Sequence, residues 1–415
     1  MSAARWGFIT LGVAIPLSTA LDNFLLLAIL AVLIGDGRAV WQTFTQNPVA
    51  RACVLLFGAL LIGTTYGVAT FDMALNILGK YVDLAFVPLL MVAGRDPQTR
   101  RRAVTAFLAV MLITAVLSWL VGLRILPVAE WMWRGCMPEN PAIFRSSITQ
   151  NILMVFAVYL WVIRGYLSSV PKEKWLNWGF AIFAGSNVLF MVQGKTGYLI
   201  LLALSLYFVG QLVARRKHKH GTASRWRKGL GWLALASMLA IVTVTIYQVS
   251  PRLQQRINEM ATDYQRWQPN AYMETSTGQR LGFYYNTVEL IKQHPLTGVG
   301  TGGFEPAYAI QVQGKIVPPT SNPHNEYLLM MAQLGVTGLV LLLYLFYTQW
   351  RCATQLPIKF QQYAAHGLVL TITLAALVNS PLLDHTEGLF FAFMSALIFA
   401  DLHTTRHDYE PSPEN

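Results

Sequence analysis

The chain has 415 residues, of which 54% are hydrophobic and only 12% charged, with a mean hydropathy of +0.43. A soluble domain carries about 25% charged residues, so composition excludes an ordinary soluble protein, and 12 Trp and 17 Tyr suit the aromatic belts of a bilayer. The net charge of +11 would fit a nucleic-acid partner only if it were gathered on one soluble face, and it is instead split between alternate loops.

A spanning helix needs about 20 apolar residues. In chain order, such runs fall near 6–20, 22–35, 50–69, 80–94, 103–123, 147–168, 175–193, 196–214, 229–249, 325–350, 361–380 and 386–403. The expectation is an all-α polytopic membrane protein of about 12 spans; the first two runs are short and together can form one broken hairpin. The opening "MSAARWGFITLGVAIPLSTALDN" resembles a signal peptide, but in a polytopic chain it reads better as an uncleaved first span. The predicted organisation is an N-terminal bundle over 1–249, an aqueous loop over 250–324, three spans over 325–403 and a tail over 404–415.

With the N-terminus inside, one set of loops holds Arg38, Arg51, "RDPQTRRR" (95–102), Arg164, Lys172, Lys174, "ARRKHKHGTASRWRK" (214–228), Arg351, Lys359 and Arg406. That is the positive-inside pattern, and these clusters also suit anionic lipid. The loop at 250–324 then faces outward. Cys53 falls in a span, Cys136 outside and Cys352 inside, so no disulfide is expected.

Outward cations are informative because topology does not require them. Lys80, Arg145 and Lys195 each stand at the outer mouth of a predicted span, and Arg280 lies in the outer loop. Taken singly, each reads equally well as a side chain snorkelling to lipid phosphate. Together they suggest a basin for a phosphate-bearing ligand. At an effective dielectric near 20, a charge about 4 Å from a phosphate contributes up to about 4 kcal/mol before desolvation. The "QGKTG" around Lys195 is not a nucleotide loop: that motif needs Gly five residues before the Gly-Lys pair, where Leu189 stands.

In the outer loop, "ETSTGQRLGFYYNTVELIKQHPLTGVGTGGF" reads as a helix followed by a glycine turn. Ser276 and Gln279 fit a capping box, His294-Pro295 stops the helix, and Leu281, Tyr284, Tyr285, Val288 and Ile291 form the expected apolar stripe. Arg280 near the helix start adds fixed charge to the positive helix end, an anion-binding arrangement. "GVGTGGF" lacks the strand and helix of a dinucleotide fingerprint and is read as close backbone packing or a tight turn.

"TSNPHNEYLLMMAQLG" (320–335) sets His324 at the start of the tenth span. Asn322 is the expected N-cap and Pro323 the first helical residue. The helix dipole would keep the ring neutral, as a general base requires; a purely structural histidine fits the residues equally well.

Arg280, "HPLTGVGTGGF" and "PHNEYLLMMAQLGVTGL" together resemble the C-terminal signature of the O-antigen ligase and polymerase superfamily. The resemblance is specific over 280–339 and extends to the whole chain in topology. It implies a bacterial inner-membrane glycosyltransferase whose donor is a glycan on undecaprenyl pyrophosphate and whose active site faces the periplasm. Length and a single moderate loop look like the ligase, whose acceptor is lipid A-core. The family's essential histidine maps onto His324 and its loop arginine onto Arg280. A second family arginine corresponds to Lys195, a departure that keeps the charge but loses the bidentate fork, unless Arg145 takes the role. Lys80, Arg145, Lys195 and Arg280 would then grip the pyrophosphate while His324 takes the acceptor proton. Asn325 and Asp384 are candidates to orient the acceptor, although Asp384 and His385 also read simply as a turn. No outward Asp-x-Asp or metal-ligand spacing is seen, so neither metal nor nucleotide cofactor is expected. Two rivals remain: a polymerase with the same donor, and a transporter of lipid-linked glycan. Few ionisable groups fall mid-span, where transporters keep theirs.

Overall fold

The computed structural model describes residues 2–219, 248, 251–269 and 273–403. Among the described residues all regular elements are helices, with one isolated bridge between Met137 and Asn140 in place of any strand. In chain order the helices are α1 (Ser2–Leu17), α2 (Thr19–Leu33), α3 (Gly37–Gln46), α4 (Pro48–Gly63), α5 (Phe71–Lys80), α6 (Val82–Ala93), α7 (Pro97–Gly122), α8 (Ser147–Leu167), α9 (Pro171–Phe190) and α10 (Lys195–Lys219). They continue with α11 (Pro251–Arg266), α12 (Ser276–Gln293), α13 (Phe304–Gln311), α14 (Glu326–Ala353), α15 (Lys359–Val378) and α16 (His385–Phe399).

The chain is a multi-pass membrane protein. Among the described residues, seven helical segments are long and apolar enough to cross a bilayer: Phe71–Ala93, Pro97–Gly122, Ser147–Leu167, Lys195–Ala214, Glu326–Ala353, Lys359–Val378 and His385–Leu402. An eighth arises if α2 and α3, bent by 103° at their junction, count as one span. Among the described residues the expected twelve are therefore not reached. α1 and α4 are apolar but have 16 residues each, about 24 Å at 1.5 Å per residue, short of a typical hydrocarbon core of about 30 Å. α9 opens on Lys172, Glu173 and Lys174 and carries Asn177 and Asn187, which dilute its apolar run. The expected span at 229–249 lies outside the described residues.

α16 sits at the centre. Every residue from Thr386 to Phe399 is buried, as expected for a helix apolar on all sides, and α1, α6, α8 and α15 pack around it. Its inward polar groups are matched: Glu387 accepts from the Thr149 hydroxyl at 2.6 Å, and Ser395 accepts from the Gln349 amide at 2.8 Å.

The two ends of α16 define the two ends of the bundle. At its C-terminal end Arg100 holds Asp401 with both oxygens at 2.6 Å, and Asn47 donates to the Phe399 carbonyl at 2.9 Å. Arg95 and Arg164, on Thr43 and Thr105, belong to this end. Lys80, Arg145, Lys195, Arg280 and His324 gather at the opposite end. The basic loops and the candidate basin are thus segregated. Cys53, Cys136 and Cys352 are free and buried.

Candidate functional site

The site is built around a break in α14. Gly335 has φ +62° and ψ −155°, a region only glycine occupies comfortably, so the helical ladder is interrupted there. The carbonyls this frees are taken up by the glycine loop after α12. Val299 and Gly300 donate their N–H groups to Ala332 and Gln333 at 2.9 Å, while Val336 N–H reaches the Pro295 carbonyl at 2.9 Å. To run this close the loop needs φ of +67° at Gly298, +84° at Gly300 and +79° at Gly302. Thr301 then anchors to α4, donating from its N–H to Gly63 at 2.9 Å and from its hydroxyl to Leu60 at 2.7 Å. Backbone packing is therefore what the "GVGTGGF" glycines serve.

A Cβ at Gly335 would stand against the Leu296 carbonyl and Thr297 N. Gly335→Ala is expected to destabilise the purified protein by about 1–3 kcal/mol, read as a lower thermal midpoint. An unchanged midpoint would mean the break is not needed.

α12 docks beside this junction, but not as the sequence suggested. Its N-cap is Thr275, whose hydroxyl accepts from Gly278 N–H at 3.1 Å, rather than Ser276. Its buried face is Gly278, Gly282, Phe283, Asn286, Thr287, Leu290 and Ile291, so of the expected apolar stripe only Ile291 is buried. Asn286 and Thr287 tolerate burial because they bond back to the Gly282 and Phe283 carbonyls at 2.9 and 2.6 Å, and Lys315 donates to Asn286 at 2.8 Å. Tyr284 and Arg280 are left half-buried on the flank, facing His324.

His324 lies before α14, not in its first turn. The cap is Asn325, whose side chain accepts from Leu328 N–H at 3.0 Å, and the helix starts at Glu326. Asn322 instead closes a local turn, accepting from His324 N–H and the Ser380 hydroxyl, both at 2.8 Å. That turn holds His324 at φ +57°, a left-handed conformation rare for a residue with a side chain and incompatible with a helix. The Tyr284 hydroxyl donates to the His324 carbonyl at 3.0 Å, with the Leu377 carbonyl at 3.3 Å also in reach.

The ring rests tilted against Phe283, centroids 6.3 Å apart, and its Nδ1 lies 3.3 Å from Asn379 Oδ1. An amide oxygen only accepts, so this contact places the proton on Nδ1 and leaves the Nε2 lone pair free. Burial lowers the His324 pKa below the usual imidazole value, and the Arg280 charge lowers it further; the Asn379 bond acts in the opposite sense. Neutrality thus comes from burial and Arg280 rather than from a helix dipole. Removing that charge in Arg280→Gln should move the acid limb of the pH–rate profile upward, toward but not reaching 6.5, because burial remains. A limb that stays in place would disconnect the two residues.

The other expected site residues divide. Lys195 Nζ donates to the Thr277 hydroxyl at 2.7 Å, which sets it at the start of α12 beside Arg280. Lys80, exposed at the end of α5, is the positive charge facing Asp384, whose pKa burial raises and Lys80 draws back. Asp384 occupies the cap position of α16 without a side-chain cap bond. Asn325 is committed to structure: besides capping α14, its amide donates to the Leu377 carbonyl at 2.9 Å.

Arg145 departs most from expectation. It is 8% exposed, and its Nε and Nη2 are committed to the Ile15 carbonyl at 3.1 and 2.7 Å, with Nη2 also donating to Asp22 at 3.1 Å. The break at Ser18 between α1 and α2 orphans that carbonyl, and Arg145 satisfies it. Asp22, fully buried, also meets His385 Nε2 at 2.9 Å.

Sequence reading also missed a polar neighbour of His324. Glu326 is fully buried, accepting from the Tyr81 hydroxyl at 3.1 Å and Leu382 N–H at 2.9 Å, while its own N–H reaches the Asn379 carbonyl at 3.1 Å. A glutamate opening an apolar run reads as an exposed helix start; only the packing of α5, α6 and α16 buries it. Among the described residues no group of His, Cys, Asp or Glu is arranged to hold a metal ion.

Fold and site therefore define a helical multi-pass membrane protein with a neutral histidine and cationic groups at one end of the bundle. Residues 180–343 match the family model described as O-antigen ligase, so this part of the chain is similar to that family. The matched segment contains Lys195, Arg280, the glycine loop, His324 and the Gly335 break, and leaves out Lys80, Arg145, Asn379 and Asp384. Comparison with curated proteins gave no match.

Proposed function

We propose that the chain is a glycosyltransferase that moves O-antigen polysaccharide from undecaprenyl pyrophosphate to a hydroxyl of lipid A-core at the periplasmic face of the inner membrane. The observation that carries this reading is the His324 ring, bonded through Nδ1 to Asn379 and next to the half-buried Arg280. A neutral base beside a fixed cation suits transfer from an anionic leaving group.

In the proposed reaction the acceptor hydroxyl passes its proton to His324 Nε2 as its oxygen bonds to the anomeric carbon. The bond from that carbon to the pyrophosphate oxygen breaks, and undecaprenyl pyrophosphate leaves with the electron pair. A single displacement inverts the anomeric centre. Arg280 and Lys195, joined through the start of α12, hold the leaving charge, with Lys80 and Asp384 at the rim. Arg145 is left out of this set because its Nε and Nη2 are held by Ile15 and Asp22 in the buried join of α1 and α2.

Complementation tests the assignment. In a strain lacking its O-antigen ligase, this chain should restore O-antigen on lipid A-core, read on a lipopolysaccharide gel. Polymer that lengthens on its lipid carrier but never reaches the core, despite good expression, would overturn the ligase assignment. A tag in the 250–269 segment should be reachable from the periplasm, and a cytoplasmic tag would overturn the orientation.

A further inference from the structure

An open recess lies at the other end of the bundle, far from His324. It has a volume of about 410 Å³ and is lined by Gln98, Arg101, Arg102 and Thr105, all on the first turns of α7. Arg164 of α8 borders it, donating to the Thr105 hydroxyl at 3.2 Å with its guanidinium 5.9 Å from the centre of the Phe360 ring.

Three arginines are gathered there, and the one carboxylate whose charge acts on Arg164, that of Glu173, forms no ion pair with it. Among the described residues no carboxylate forms an ion pair with Arg101, Arg102 or Arg164. The acids nearby are engaged elsewhere. Asp96 caps α7 through Thr99, Asp401 is held by Arg100 and Gln361, and Glu173 accepts from Ser168. Like charges held together in this way call for an anion between them, and arginine forks match phosphate oxygens.

The surface below the recess is apolar. From Arg102 and Thr105 the same face of α7 runs on through Ala109, Ile113 and Val116, all exposed, at spacings of three and four residues. Trp6 of α1 and Trp175 of α9, 61% and 74% exposed, flank this end, as aromatic side chains do at a bilayer interface.

We propose that the recess binds the phosphodiester headgroup of an anionic phospholipid, with one acyl chain along the exposed face of α7. The basic recess alone would take any phosphate. Its continuation into an apolar stripe selects a lipid over a soluble anion, and the excess of positive charge, with Arg101 and Arg102 in no ion pair among the described residues, selects an anionic headgroup over a zwitterionic one.

The test uses the purified full-length chain in detergent, titrated with phosphatidylglycerol, phosphatidylcholine or inorganic phosphate and read as bound adducts by native mass spectrometry. Phosphatidylglycerol should bind at least about ten-fold more tightly than phosphatidylcholine, a gap that narrows as salt rises. Arg101→Gln with Arg102→Gln should remove most of that preference, and lysine at both positions should keep part of it. Arg124→Gln, at the opposite end and paired with Glu139, should leave it intact. Both substituted side chains are exposed, and the two single variants carry the test if the double variant misfolds. Equal affinity for phosphatidylcholine, displacement by inorganic phosphate at comparable concentration, or unchanged binding in the variants would each overturn the proposal.

Discussion

His324→Ala is expected to lower turnover by about 10²–10⁴-fold, the range over which a positioned general base acts, without loss of folded protein. The side chain makes one hydrogen bond, to Asn379 at 3.3 Å, and packs loosely on Phe283, so truncation removes little that holds the fold. The local turn should survive because its bonds come from the backbone: His324 N–H to Asn322 and the His324 carbonyl to Tyr284. In the wild type, activity should persist below pH 6.5 and fall as pH drops through the lowered His324 pKa, since protonation removes the Nε2 lone pair. Glycosyl transfer in vitro from a lipid-linked donor reads both effects. Near-wild-type turnover in His324→Ala would take His324 out of the mechanism.

Arg145→Ala should fail differently, through folding. Removing the guanidinium leaves Asp22 as a fully buried carboxylate with only His385 beside it, and leaves the Ile15 carbonyl unpaired. Breaking a buried pair costs about 3–5 kcal/mol, a large share of a typical folding stability. The expected result is a sharply lower thermal midpoint and poor recovery from the membrane. Arg145→Lys should rescue only partly, because lysine cannot serve the carbonyl and the carboxylate in one fork. The pyrophosphate role expected from sequence makes the opposite forecast: a stable protein that fails to use donor. Wild-type stability with lost transfer would therefore restore Arg145 to the site.

The contrast between these arginines shows where sequence reasoning reaches its limit. Arg145 and Arg280 look alike in the sequence, each outward and beside polar residues. What separates them is Asp22, 123 positions from Arg145, brought into contact by the packing of α1 and α2. The acidic partner is invisible because Asp22 sits inside an apolar run, where nothing local marks it as an ion-pair residue. Glu326 escaped notice for the same reason.

The neutrality of His324 was legible, but its cause was not. A cap, proline and histidine before an apolar run suggested a helix start and its dipole. The structure moves the cap to Asn325 and lets Asn322 fold back on His324, because a side-chain oxygen two residues upstream competes with the helix for the same N–H. The ring is consequently kept neutral by its burial and by Arg280 on another helix. Among the described residues the spans are fewer than expected on similar grounds: hydropathy measures apolar length, whereas short helices such as α1 and α4 are stabilised by neighbours.

The sequence by itself determined that this is a helical membrane protein, that its basic loops and candidate cations lie at opposite ends, and that His324, Arg280 and the glycine loop belong to one signature. The first two rest on composition, period and local residue chemistry, which do not depend on distant contacts, and the third on the resemblance to a known family. Tertiary structure alone decided which cations remain available, how Gly335 and the glycine loop exchange backbone hydrogen bonds, and which face of α12 is buried. Each of these depends on groups far apart in the chain meeting where water is excluded, so that every buried polar atom must find its partner.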